Sequence, residues 1–269
     1  MSLIKDPYSG LHLVELSHVW GMGAPSYPGQ EDVRMFRSVK HAQHGVLAWK
    51  VRTDMHSGTH MIAPIHMAQR GKDLAAVDTA RFFGNGVVLD LTQKTNFDRI
   101  SAEDLKQAGE IREGDIVVIN TGWHRKYSDG LEYFGQAPGL TRDAADYLIG
   151  KTPKLVAVDT PFIDCPLATS MGPHRGGPQM KRLARSYADA TGRDPAADYP
   201  QEDWYPAHRA LAYADIPVIQ QVGGDVDLLT GKRATLVAAP WKFLHADACI
   251  VRFMALLDPD GTARIDAGV

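Results

Sequence analysis

The chain breaks into short apolar runs bounded by turn residues and separated by helix-forming stretches, and this alternation limits the folds open to it. Gly86–Leu91, Asp115–Asn120, Leu155–Asp159, Pro217–Gln221 and Ala248–Leu257 have the length and aliphatic content of buried strands. Between them lie segments with helix grammar. Ser101 before Ala102-Glu103-Asp104 reads as an N-cap with acids in the first turn, and Gly109 as the stop. Thr141, Arg142–Ile149 and Gly150 repeat that start and stop. Strands alternating with helices of this length predict an α/β fold. No repeat, low-complexity tract or Gly/Ser linker interrupts the sequence, and residues 1–269 are expected to form one domain.

Composition narrows the function classes. The chain has 269 residues, enough to bury a sizeable core, with 44% hydrophobic residues and a net charge of -3. No basic stripe interleaved with aromatics appears, so nucleic acid is not an expected partner. Runs such as Ile116–Ile119 and Leu155–Val158 fall far short of the about 20 residues that span a bilayer. The first residues lack the basic start and apolar stretch of a secretory signal. Cys165 and Cys249 make no disulfide framework and suit a reducing compartment. The expectation is a soluble cytoplasmic protein that acts on a small molecule.

The chemistry concentrates in His56-Ser57-Gly58-Thr59-His60-Met61-Ile62-Ala63-Pro64-Ile65-His66. Three imidazoles this close are a common trace of a transition-metal site, because neutral imidazole ligates zinc, manganese, iron and nickel. Gly58 and Pro64 argue against a plain surface helix. In an extended segment every second side chain points the same way, which would put His56, His60, Ile62 and His66 on one face. An aliphatic side chain then occupies the place where a fourth polar group is expected. Read without relatives, the cluster fits a metal site or a hydrogen-bonded histidine pocket about equally.

The motif resembles the signature of the bacterial cyclase-like metal hydrolases, the kynurenine formamidase, isatin hydrolase and trans-dienelactone hydrolase type. Their pattern is His-x-Gly-Thr-His-x-Asp-x-Pro-x-His; this chain matches it at His56, Gly58, Thr59, His60, Pro64 and His66 and departs at Ile62. The likeness continues in order along the chain. Leu16-Ser17-His18, Pro25-Ser26-Tyr27-Pro28-Gly29, Gly114-Asp115-Ile116-Val117 and Asn120-Thr121-Gly122-Trp123 are similar to family elements. So are Pro138-Gly139-Leu140-Thr141, Val156-Ala157-Val158-Asp159-Thr160-Pro161 and the His-x-x-Leu element from His208 to Leu211.

This resemblance implies a swivelling β/β/α-type α/β domain, assembled as a homodimer or homotetramer, with Trp20–Tyr27 suited to the interface. It implies a hydrolase that opens a cyclic amide or lactone, or cleaves an aryl formamide. His56, His60 and Gln220 are the implied metal ligands, and His208 with His66 the implied catalytic histidines. The ion would be divalent manganese or zinc, held weakly or absent because Ile62 replaces the ligating aspartate. That departure has two readings, a diverged branch or a substitution introduced into an Asp-bearing member. A metal-free lyase or isomerase, or a disabled binding protein, is the alternative on the same scaffold. His18, Trp20, Phe83 and Trp204 are candidate pocket walls, with a solvated loop or ordinary core as their plainer readings, and Trp123 is weighed with them. Asp159 is expected to orient a histidine or a loop, or simply to form a turn before Pro161. Residues 165–207, including the Gly/Pro-rich Ser170–Pro178 and the loop Arg193–Gln201, read as a substrate lid or a plain surface loop.

Overall fold

The computed structural model describes residues 3–174 and 180–261. Ten strands form one mixed sheet. Across the sheet they run Ile4–Lys5, His12–Glu15, Arg252–Leu257, Arg233–Ala239, Phe83–Asp90, Ile116–Asn120, Leu155–Val158, Val218–Gln220, His60–Ile62 and Ala248–Ile250. The four strands from Phe83–Asp90 to Val218–Gln220 are parallel neighbours, and the flanking pairs are antiparallel. Parallel strands need crossovers. The helices Ala102–Ala108, Arg142–Gly150 and Pro206–Tyr213 supply them and pack side by side on one face.

The sheet curls until its ends meet. The last strand, Ala248–Ile250, passes through Val251 directly into Arg252–Leu257, which lies third from the opposite edge. The Val251 amide donates to the Thr59 carbonyl at 3.1 Å, and a Ser17–Val222 bridge ties the two halves again. Strand side chains alternate between two cores. Met61, Val88, Val118, Ala157, Ile219, Leu236 and Phe253 fill the inside of the curl. Ile62, Leu89, Ile119, Val158 and Val218 face the helices, where Leu105, Leu148 and Leu211 cover them. A third, aromatic cluster gathers Phe97, Trp123, Tyr133, Phe162 and Tyr187.

The expected strands are present within a residue or a few, except that Ala248–Leu257 is two strands broken at Val251. Ser101 and Asp104 form a reciprocal capping box. Thr141 does not cap its helix through its side chain; its hydroxyl donates to the Ile100 carbonyl at 3.0 Å instead. The region 165–207 is also less loop-like than expected. Met180–Thr191 is a helix that buries Met180, Leu183 and Tyr187, and Pro195–Asp198 adds a short turn of helix capped by Asp194. Within the Gly/Pro-rich run, Arg175–Pro178 lie outside the described residues. No helix among the described residues is long and apolar enough to cross a membrane.

Gly86 shows how closely the central strands approach. A Cβ there would lie 2.3 Å from the Ile116 carbonyl oxygen and 2.5 Å from Leu236. The oxygen belongs to backbone, so the parallel pair must move apart to accept it. Gly86→Ala is expected to destabilise the protein by about 1–3 kcal/mol, as overpacking does, and urea unfolding followed by circular dichroism measures it.

Candidate metal centre and catalytic cavity

The histidine motif is not one extended run. His60–Ile62 is a strand, Pro64–His66 is a turn of 3-10 helix, and Gly58 bends the chain before the strand begins. The expected alternation of His56, His60, Ile62 and His66 along one strand therefore fails outside His60–Ile62; the histidines meet because the chain turns on both sides of it. Gly58 sits at φ 61°, and an added Cβ would come within 3.0 Å of Trp20 and 3.2 Å of the Tyr127 hydroxyl. Thr59 pins this turn. Its hydroxyl donates to the Gln221 carbonyl at 2.6 Å and accepts the His18 amide at 2.9 Å.

Register does the rest. His60 lies opposite Gln220 on one side and Ile250 on the other, and Ile62 lies between Val218 and Ala248. Directly opposed residues on one face bring their side chains together. Asp247, immediately before Ala248–Ile250, is held by its carbonyl, which accepts the Ala63 amide at 2.7 Å. Its Oδ2 accepts hydrogen bonds from His66 Nδ1 at 2.7 Å and His56 Nε2 at 3.0 Å. These bonds, the one from His56 first, hold the carboxyl well below the usual carboxylate range.

In neutral rings the hydrogen bonds select the tautomers. His56 spends its Nε2 proton on Asp247, and His60 spends its Nδ1 proton on the Gly58 carbonyl at 2.8 Å. The remaining nitrogens, His56 Nδ1 and His60 Nε2, face each other at 3.3 Å. His60 is fully buried, and desolvation, then His56, pushes it down to about 3, so it is neutral at pH 7. The contact between the two rings is a hydrogen bond where His56 carries both ring protons, and a pair of facing lone pairs, which a cation between them would relieve, where both rings are neutral. Nitrogens bound to one tetrahedral ion at about 2.0–2.1 Å stand about 3.3–3.4 Å apart. The pair fits a divalent ion, with Gln220 as the neighbouring oxygen donor and Asp247 as the outer carboxylate typical of ligating histidines. Among the described residues, His56, His66 and Asp247 are also the one His/Cys/Asp/Glu group close enough to share an ion.

These groups border a cavity of about 560 Å³ lined by His56, Ile62, His66, His208 and Gln220, with Tyr27, Phe162, Trp204 and Tyr205 among its walls. His208 is buried, its ring 5.7 Å from that of His66, and desolvation, then the neighbouring His66, pushes it well below its ordinary value. Asp164 places it. Its carboxyl group accepts the Ala207 amide at 2.6 Å and the His208 amide at 3.3 Å, at the start of helix Pro206–Tyr213. Tyr205, at φ 50°, turns the chain into that helix, and its hydroxyl meets that of Tyr27 at 2.9 Å.

The other sequence candidates divide. Trp204 lines the cavity. His18 and Trp20 do not; they line a separate smaller cleft with Thr59 and Ile250. His18 stacks on Tyr127 at 3.6 Å, and burial pushes it down to about 4. Trp20 donates to Ser57 Oγ at 3.0 Å. Phe83 is half exposed at the start of its strand, opposite Val237 and four strands away from His60–Ile62. Trp123 belongs to the aromatic core and donates to the Tyr133 carbonyl. Asp159 orients a histidine, but that histidine is His124, bound at 3.1 Å outside the cavity lining. Sequence reasoning missed Asp247, which stands in no motif, and Asp164 as the cap of the His208 helix.

A profile of the Cyclase family ("Putative cyclase") matches residues 14–165. The chain belongs to that family. It is 27% identical to isatin hydrolase of Roseibium aggregatum over 75% of this chain and 72% of that protein. It is 26% identical to a kynurenine formamidase of Bacillus cereus over 46% of this chain and 56% of that one. The fold matches a crystal structure of an isatin hydrolase bound to the product analogue thioisatinate, with TM-score 0.74, 20% identity and 92% of each chain covered. The mixed α/β domain with its curled sheet is the architecture of these relatives.

Asp164 generates a test. Burial raises it to about 7 in the folded protein, against about 3.9 unfolded. Between those values the folded form keeps a proton that the unfolded form has lost, so this group's stabilising contribution is full below about pH 4 and falls as pH rises to 7. Asp164→Asn, which keeps an acceptor for the helix amides, should flatten that slope in urea unfolding across about pH 4.5–7.5. Asp164→Ala should lose about 1–2 kcal/mol as a missing cap.

Proposed function

We propose that the protein is a metal-dependent hydrolase that opens a cyclic amide or lactone or cleaves an aryl formamide. One observation carries this reading: the His56 Nδ1 and His60 Nε2 lone pairs converge, 3.3 Å apart, where His66 and His208 border the same cavity. A divalent ion bound there, manganese or zinc, would supply Lewis acidity toward a carbonyl and toward water. His56, His60 and Gln220 would hold it. Asp247 fixes His56 and His66 in the tautomers that leave His56 Nδ1 and His66 Nε2 without protons.

The remaining chemistry belongs to this chain's residues. Water adds across the scissile bond: its oxygen goes to the carbonyl carbon and its proton to the departing nitrogen or oxygen. His208, neutral through burial, takes the proton from the water and returns it to the leaving atom. His66 Nε2 accepts a hydrogen bond from the water and so orients it. Tyr27, Phe162 and Trp204 offer flat walls to a planar substrate, with Ser170 and Tyr205 beside them in the lining.

The second reading, an ion-free histidine site that supports lyase, isomerase or binding function, is favoured by Ile62. That side chain is buried between Val218 and Ala248, where the relatives' motif would present a carboxylate to the ion. Calorimetric titration with manganese and zinc separates the two readings. The protein is expected to bind weakly, Asp247→Asn to lose a further 10–100-fold, and Ile62→Asp to gain about tenfold or more, with ring-opening activity following affinity. Absence of binding in the wild type and in Ile62→Asp alike would leave the ion-free reading.

Association is proposed through a different surface from Trp20–Tyr27. Tyr27 turns inward toward Ser170 and Tyr205, and Trp20 toward Ser57. The hairpin Arg34–Val39 and Ala48–Arg52 stands off the main sheet and exposes Phe36, Val46, Leu47, Trp49 and Val51. An apolar patch of that kind marks an interface. A homodimer or homotetramer is expected in sedimentation at micromolar concentration, and Phe36→Asp with Trp49→Glu should shift it to monomer; a wild-type monomer rejects the interface.

A further inference from the structure

The cavity beside the histidines is set apart by its charge pattern. Among the described residues no aspartate or glutamate lines it. Ile62, which stands at the aspartate position of the motif that the sequence resembles, lines it, and Asp247 stands behind His56 and His66 rather than in the lining. The neutral polar groups that reach it include Gln30, Ser170 and Gln220. One permanently charged side chain remains, Arg209.

Arg209 follows His208 in helix Pro206–Tyr213 and lines both this cavity and a neighbouring one of about 640 Å³, with Trp204 beside it on the shared wall. The acids Glu202 and Asp203 line the neighbouring cavity alone. That cavity also holds two other arginines, and both are engaged. Arg142 pairs with Asp146 at 2.9 Å, and Arg99 donates to the Asp198 carbonyl and packs over the Tyr199 ring at 4.7 Å. The Arg209 side chain is exposed and makes no hydrogen bond or ion pair among the described residues. A guanidinium without a partner, at the mouth of a cavity without carboxylates, leaves its fork of donors to a ligand.

We infer that the substrate is an aromatic carboxylate, and that Arg209 selects it by binding the carboxylate while the scissile group reaches the histidines. The inference rests on the hydrolase reading for its scissile bond but not for its charge. The ring packs against Phe162 and Trp204, two aromatic members of the cavity lining. A cavity lined by one sign of charge also concentrates ligands of the opposite sign.

A matched pair of probes tests this, formanilide and 4-formamidobenzoate, which differ by the carboxylate alone. With the manganese-loaded protein, kcat/KM should favour 4-formamidobenzoate at least tenfold, mainly through KM, and added salt should shrink the preference. Arg209→Gln should bring the ratio of the two substrates to within about twofold of one, and Arg209→Lys should keep part of it as a point charge. Calorimetry of the same two compounds on the metal-free protein gives a second reading independent of turnover. Tighter binding of the carboxylate that is lost in Arg209→Gln supports the inference even if neither compound is hydrolysed, and that failure then falls on the hydrolase reading alone. Equal affinity, no binding of either compound, or a preference that survives Arg209→Gln overturns it.

Discussion

The structure depends on one continuous segment, Ala248–Leu257, whose two strands belong to opposite sides of the sheet. Ala248–Ile250 pairs with the histidine strand, Val251 donates to Thr59, and Arg252–Leu257 pairs with His12–Glu15 and Arg233–Ala239. Closing the sheet and building the site are therefore a single event. The closure that buries Val251, Phe253 and Ala255 inside the curl also brings Asp247 up to His56 and His66. Backbone amides and carbonyls buried in this closure must pair, and the pairing leaves little freedom in where the carboxylate stands.

Around that frame the site divides into a fixed half and a mounted half. His60 and Gln220 are set by strand register, with no rotation of the backbone left to choose. His208 arrives on a helix whose start is fixed by the buried Asp164 and by Tyr205 in the left-handed region. A non-glycine residue there costs roughly 1 kcal/mol, and the hydroxyl contact to Tyr27 helps hold it. Ile62 alters the electrostatics without disturbing the geometry. It packs with the helix-facing core, so the strand keeps its place, and the carboxylate that meets the histidines is that of Asp247.

Much of this is legible in the sequence, and the exceptions have physical causes. Strands such as Ile116–Asn120 and Leu155–Val158 are fully buried and read as unbroken apolar runs. Ser101 and Asp104 announce their helix because a capping box is local chemistry. Met180–Thr191 escapes such a reading, since it follows a Gly/Pro-rich run and its apolar stripe is only Met180, Leu183 and Tyr187. The convergence of His56 with His60 depends on a left-handed glycine turn, which alternation cannot express. Phe83 and His18 suggest pocket walls through their neighbours in sequence, whereas sheet order carries Phe83 away and Tyr127 holds His18 elsewhere. Asp247 has no local signature, because its role comes entirely from a strand pairing with a distant segment.

That pairing has a consequence for how the protein comes to exist. During synthesis the histidine motif emerges early, but both strands that flank it, Val218–Gln220 and Ala248–Ile250, emerge late. Pairings this distant in sequence fold slowly and leave apolar edges open in the meantime. Until the final strand is released, His60–Ile62 has no partner on one side and Asp247 is not yet in place. A nascent chain thus carries its histidines without the geometry that gathers them in the finished site. The arrangement of this centre therefore belongs to the closed fold, and a truncation ahead of Ala248 removes more than the last strand: it leaves the motif as three ordinary imidazoles.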